Sequence, residues 1–325
     1  MRRIDGYLSS QLIYVAAELG VADALAAGPR SSAEVAAAVG ADPAALHRVL
    51  RGLVLEDVVA EDDDGRFALT ELGALLRADA AGSLRGPALA RGRVYYGAAA
   101  GLLETVRVGG TAFEHVHGEP FFDHLARHPD REASFQDSMA GRAARETAAV
   151  VAAYDFTRVR RVVDVGGGDG LLLEAVLRAA PGVEGVLFDR PFVADRARER
   201  LAAAGLGARC ECVGGDFFDA VPAGADHYVL SRVLHDWDDG PAGRILVACR
   251  RALPAGGRLL VVEAPLPERA ADAPGAITMD LHMLVLLGAR ERTEAEYGAL
   301  LATAGLRLER THPAGELAVL EAVRD

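Results

Sequence analysis

Glycine stands at 166, 168 and 170, between a β-branched run at 161–165 and an apolar run at 171–180. The first run reads as a buried strand and the second as a buried helix stopped by Pro181. A strand, a glycine-rich turn and a helix bring a ligand onto backbone N–H groups at a helix N-terminus. The spacing is not that of a dinucleotide fingerprint, because Leu171 occupies the position where the third small residue belongs. Asp164 precedes the first glycine by two residues, which places a carboxylate beside the turn. About twenty residues on, Asp189 stands where a carboxylate can accept ribose hydroxyls. Asp216, Phe217 and Phe218 would offer a carboxylate to an adenine amino group and an aromatic face to its ring. Further on, the segment 231–239 reads Ser-Arg-Val-Leu-His-Asp-Trp-Asp-Asp. Histidine is the one side chain whose ordinary pKa lets it act as a base near neutral pH, so His235 is the candidate base. Such a base needs a carboxylate to fix its tautomer, and Glu263 and Glu291 are the candidates.

These residues need a scaffold that gathers strand ends. From 161 onward, apolar β-branched runs at 161–165, 185–189, 209–214, 227–231 and 258–263 alternate with helical patterns near 171–180, 193–204 and 241–253. Thr293 to Glu296 caps a last helix to about 304, and two terminal strands follow near 306–312 and 316–323. Repeated strand–helix units predict an α/β domain with a mostly parallel sheet covered on both faces. Ligands in such a sheet bind beyond the carboxyl ends of the strands, and the candidate residues are all expected there. Before it, residues 8–82 read as helix, helix, helix, hairpin, the pattern of a winged helix-turn-helix, with a capping box at Ser31–Glu34 and a hairpin over 58–69. Residues 83–155 read as mostly helical, with one long helix over 135–154. The expected divisions are therefore 1–82, 83–155 and 156–325.

Composition narrows the function. The chain has 325 residues, about half of them apolar, enough for a large core and more than one domain. A net charge of −12 argues against a nucleic-acid surface, and the expected recognition helix holds only His47, Arg48 and Arg51 as basic groups. A buried dimer interface is the better use of this unit, with Leu12, Val15 and Leu19 facing a partner. Three cysteines are too few for a disulfide framework, and Cys210 and Cys212 read as core residues of one strand. His115 and His117 read as a loop pair without a third metal ligand. No apolar run of membrane-spanning length and no signal peptide is evident, so the expectation is a cytoplasmic protein with no membrane partner.

The glycine motif, Asp216-Phe217-Phe218, His235-Asp236-Trp237, Glu263-Ala264-Pro265-Leu266-Pro267, the segment Met279 to Leu284 and Arg290-Glu291-Arg292-Thr293 occur in that order. In this the chain resembles the S-adenosylmethionine (AdoMet) dependent O-methyltransferases of plant phenolic ethers and of bacterial polyketide and antibiotic tailoring, over nearly its whole length. The resemblance implies a class I methyltransferase domain behind a winged-helix dimerisation domain, AdoMet as cofactor, a homodimer, and no metal. It implies His235 as base, flanked by Glu263 and Glu291. It implies that Asp164, Gly166, Gly168, Gly170, Asp189, Asp216, Phe217, Phe218, Ser231 and Arg232 hold AdoMet. It implies an acceptor pocket lined by Phe135, Met139, Trp237, Met279, Asp280, His282, Met283 and Leu287. The stretch before Glu291 is one residue shorter than in the plant enzymes, lacks their pocket asparagine, and His282 is polar where they are apolar, so no plant substrate is carried over. The expected reaction is methylation of a phenolic hydroxyl, giving S-adenosylhomocysteine and a methyl ether. The alternatives are N-methylation, a hydroxylase or decarboxylase that keeps AdoMet, and a DNA-binding regulator with an AdoMet sensor domain.

Overall fold

The computed structural model describes residues 4–325; within one helix it describes only the backbone at 133, 136, 137, 140, 141, 144 and 145. The chain divides into two units, one ending at Arg142 and one running from Ala143 to Asp325. The division falls inside the helix Pro129–Ala153, ahead of the boundary expected near 155. That helix also begins earlier than expected, with a proline in the first position, where its missing N–H costs nothing.

The first unit follows its capping signals. Ser31 accepts the N–H of Glu34 while Glu34 returns a bond to Ser31, and the helix Ser32–Val39 ends on Gly40 in the left-handed conformation. Asp42 caps the helix Pro43–Leu55. Strands β2 (Val59–Glu61) and β3 (Arg66–Leu69) form the expected hairpin, and β1 (Arg30–Ser31) adds a third strand too short to betray itself in the sequence. Ala16, Leu46, Leu50, Leu53, Val58 and Phe67 form the core under this sheet. Leu12 and Leu19 pack partly against that core, whereas Tyr7 and Leu8 on the first helix, Gly6–Leu19, and Ile4 just before it are exposed. His115 and His117 lie on a short helix, Ala112–His117, rather than in a loop, because Thr111 caps its start and Gly118 stops it. His117 stacks on Phe113, with ring centroids 4.2 Å apart. Phe135 stacks on Phe121 at 5.1 Å in this unit.

The second unit is a seven-stranded sheet among the described residues. Its strands are β4 (Arg161–Val165), β5 (Glu184–Asp189), β6 (Cys210–Gly214), β7 (His227–Ser231), β8 (Arg258–Glu263), β9 (Leu306–Ala314) and β10 (Leu317–Arg324), in the order β6-β5-β4-β7-β8-β10-β9. The first five run parallel and β10 is antiparallel to both neighbours. Alternation sorts the side chains between two cores. Val163, Val165, Tyr228, Leu230, Leu259 and Val261 pack with the helices Asp239–Ala252 and Glu294–Thr303. Val162, Leu187, Val229, Leu260 and Val262 pack with Leu171–Ala179 and Pro191–Ala203. The order reverses on either side of β4, so the crevice opens at the carboxyl end of β4 between β5 and β7. One helix, Pro274–Leu286, was not anticipated: it is apolar nearly all round and shows no periodicity to read.

Candidate active site

The turn after β4 is built for close approach. Gly166, Gly168 and Gly170 all have positive φ, at 73°, 56° and 76°, a region open to glycine without a steric penalty. A Cβ at Gly166 would come within 2.9 Å of Val233 and 3.7 Å of Phe217, whereas one at Gly168 would meet nothing within 4 Å. The middle of the turn therefore faces open space. Asp189 leaves β5 and accepts the Gly168 N–H at 2.9 Å and the Arg190 N–H at 2.7 Å, which aims its carboxylate at the turn.

Asp164 lies on the strand face opposite to Val163 and Val165, and it is only 2 % exposed. Its Oδ2 has no hydrogen-bond partner among the described residues. Burial, with the charge of Asp189 adding to it, pushes the carboxyl up to about 7. An unpartnered carboxylate beside a glycine turn suits a ligand that carries a cation and suits a pyrophosphate poorly. Phe217, Phe218 and Trp237 form an edge-to-face cluster, with Phe218 and Trp237 at 4.9 Å. Asp216 is exposed and caps the N–H of Phe218 at 2.8 Å.

The second group of residues is charged and buried. His235 sits on a single turn, Leu234–Asp236, at the end of β7, with 7 % of its surface exposed. Its Nδ1 is 3.1 Å from Glu291 Oε1. Donation from Nδ1–H to that carboxylate leaves a lone pair on Nε2, the form a base requires. Burial pulls the imidazole pKa down, but the charge of Glu263, the bond to Glu291 and the charge of Asp236 outweigh burial and Arg232, so it lies above its ordinary value. Glu263 has a different task. Its Oε1 accepts the backbone N–H groups of Val233, Leu234 and His235 at 3.1, 2.9 and 3.4 Å. It shapes the turn that carries the histidine and supplies charge beneath it.

Three further contacts complete the frame. The side chain of Asp280 accepts the N–H of Glu291 at 3.0 Å. Arg232 donates from Nη1 to Glu291 Oε1 at 3.2 Å. Arg292, with no exposed surface, donates to the carbonyls of Leu234 and Trp237 at 2.9 and 2.7 Å and to Asp239. It thus staples the loop from 234 to 239. Sequence reasoning assigned Arg292 no role. The available signal was an arginine beside Glu291 in the quoted motif, without the partner carbonyls that only folding supplies. Of the expected pocket residues, Met279, Asp280, His282 and Met283 lie on the helix Pro274–Leu286, with Leu287 at its end, and Phe135 and Met139 belong to the first unit.

Among the described residues, two sets of side chains have their ligand atoms within 4.8 Å of one another, the spacing of a metal site: His235, Glu263 and Glu291, and Glu119, His124 and His128. Donors engage part of each set, while Glu263 Oε2 has no hydrogen-bond partner among those residues. In the first, Glu263 Oε1 holds backbone N–H groups and Glu291 Oε1 holds the imidazole and Arg232. In the second, His124 lies 2.7 Å from Glu119, Arg131 donates to its other nitrogen at 2.6 Å, and Arg127 pairs with Glu119.

Residues 100–307 match the O-methyltransferase domain model, and residues 1–79 match the O-methyltransferase dimerisation domain model. The chain belongs to the O-methyltransferase family. It is 47 % identical over 323 residues to a phenazine O-methyltransferase, PhzM, of Lysobacter antibioticus, covering 99 % of this chain and 94 % of that one. It is 40 % identical to an 8-amino-8-demethylriboflavin N,N-dimethyltransferase of Streptomyces davaonensis, covering 95 % and 90 %. Among solved structures, it superposes with a TM-score of 0.83 at 38 % identity on NcsB1, an O-methyltransferase of neocarzinostatin biosynthesis, in complex with S-adenosylmethionine and 2-hydroxy-5-methyl naphthoic acid. That match covers 98 % of this chain and 96 % of the other. As an O-methyltransferase the chain is an enzyme with the class I fold.

Proposed function

We propose that this O-methyltransferase uses AdoMet to methylate a phenolic hydroxyl of a small aromatic natural product, with His235 as general base. The observation that carries the reading is the buried Nδ1 contact to Glu291 Oε1 at 3.1 Å, which puts the proton-accepting role on Nε2, 3.4 Å from Asp236 Oδ1. AdoMet fits the first group of residues: Asp164 offers an unpartnered buried carboxylate for a cationic ligand, Asp189 offers carboxylate oxygens for ribose hydroxyls, and Phe217 offers a ring beside the turn. Bound there, AdoMet supplies an electrophilic methyl group on a sulfonium.

The chain's own part is placement and proton removal. A phenol has a pKa of about 10, so it is largely protonated at neutral pH. His235 would hold its proton on Nε2, while Glu291 holds Nδ1–H and stabilises the imidazolium. Pre-positioning is worth roughly 7–11 kcal/mol and the base roughly 10²–10⁴-fold. The named substrates of the relatives, a phenazine and a naphthoic acid, support a fused aromatic acceptor. The dimerisation domain supports a homodimer. Three free cysteines support a reducing, cytoplasmic setting.

His235→Ala should lower kcat by roughly 10²–10⁴-fold with AdoMet affinity nearly unchanged. The wild-type rate should rise with pH, because only the neutral imidazole accepts a proton, and the midpoint should lie above histidine's ordinary value. That limb should vanish in the variant, and a more acidic phenol should recover part of the rate. Retention of most activity across acceptors of different acidity would remove His235 as base. The amine acceptor of the riboflavin-derived relative favours N-methylation as the second reading. Paired phenol and aniline acceptors with labelled AdoMet separate the two.

A further inference from the structure

Arg232 follows β7 in a conformation that few side chains adopt. Its φ is 56°, one of two positive values at non-glycine residues among those described, and such strain is held only where surrounding contacts require it. Those contacts lie on the site's carboxylates. Its Nη1 is 3.2 Å from Glu291 Oε1 and 3.9 Å from Glu263 Oε2, and 18 % of the side chain is exposed. The oxygen it reaches is the same one that faces His235 Nδ1 at 3.1 Å.

We propose that Arg232 is a positioning residue for methyl transfer: by sharing Glu291 Oε1 with His235 it orients that carboxylate and divides its charge, so that the imidazole can release a proton near neutrality. The inference rests on the reading of His235 as base. The charge balance explains the need. Glu263 from β8, Glu291 from the segment before the last helix, and Asp236 from the histidine's own turn all surround the imidazole. Three carboxylates in low dielectric would hold it protonated, and a protonated histidine is no base. Arg232 opposes them from the same loop, its own charge held by Glu263, Glu291 and Glu146. Tyr297 and Arg292 stand against the carboxylates from the last helix and its approach, and Asp280 fixes the backbone of Glu291. A guanidinium suits the task because it stays charged at every working pH and offers several donors.

The test is Arg232→Met, with His235 titrated by NMR of its ring protons and kcat/KM followed against pH. The midpoint for His235 should rise by about one unit or more. The acid limb of kcat/KM should move with it, leaving the rate about tenfold lower below the limb. Arg232→Lys should bring the limb back to within about half a unit of wild type, since it restores the charge. Should Arg232→Met not fold, Arg232→Gln, which keeps a donor but no charge, carries the same expectation. An unmoved or lowered His235 midpoint in the neutral variant overturns the proposal. So does a lysine variant that shifts as far as methionine, or a loss of AdoMet affinity with no shift, which would make Arg232 a cofactor contact. Because the NMR titration reads His235 directly, a failure here is distinct from a failure of His235→Ala to abolish the rate.

Discussion

The crevice beside β4 and β5 and the charged cluster beside β7 and β8 share one edge of the sheet but are made of different materials. The first is mostly backbone: three glycines at positive φ and a carboxylate, Asp189, that bonds two N–H groups of the turns around it. Its partners lie within some twenty residues of one another. The second is side chain on side chain. His235, Glu263 and Glu291 come from positions 28 to 56 residues apart and are at most 7 % exposed. A backbone cradle tolerates loss of a side chain because water reaches its open middle. A buried charge cluster does not, because each member removed leaves another uncompensated.

The comparison can be broken most forcefully at Glu263. Glu263→Ala strips three N–H groups of their acceptor and leaves Arg232 short of a counter-charge, so we expect roughly 3–5 kcal/mol of lost stability. In a unit of this size that is a fall in Tm of about 10 °C. A fall of only a degree or two would show that the cluster yields as easily as the cradle. Asp189→Ala tests the other side. AdoMet affinity should fall by about 1.5–3 kcal/mol, or roughly 10–100-fold, with the ligand-free Tm barely altered, since the freed N–H of Gly168 can turn to water. Calorimetry showing equal affinity would take Asp189 out of the site.

Asp164→Asn gives an effect of the opposite sign. The carboxyl is raised to about 7 in the folded protein, well above its unfolded value of about 3.9. Deprotonation is therefore easier unfolded, and the ligand-free wild type should lose stability as pH rises between those values. Carried in full, that difference is about 4 kcal/mol, so the asparagine variant should match wild type near pH 4 and exceed its Tm by about 10 °C at pH 8. It should also bind AdoMet less tightly, if Asp164 answers the ligand's cation. Equal melting curves across that range would mean that the carboxylate finds a partner when ionised.

Much of the scaffold was open to reading from residues alone. Five short β-branched strands, the capping boxes at Ser31 and Thr293 and the stop at Gly40 are short-range events, governed by neighbours three or four residues away. The glycine turn is local for the same reason, and the quoted motifs placed the chain in its family before any contact was known. The helix Pro274–Leu286 shows no period because apolar residues stand on nearly every face of it, and β1 shows none because two residues make no pattern.

The residue types on hand, a histidine, two glutamates and a pair of arginines, were set by the sequence, as were the strand ends that carry Arg232, His235 and Glu263. Which carboxylate bonds the imidazole was not. The fold gave Glu291 the ring, Glu263 the backbone of the turn, Asp280 the N–H of Glu291, and Arg292 the carbonyls of Leu234 and Trp237. These assignments depend on distances across the sheet of a few ångströms between groups up to 58 residues apart. In low dielectric such distances decide whether a charge is compensated, and no local pattern in the chain encodes them.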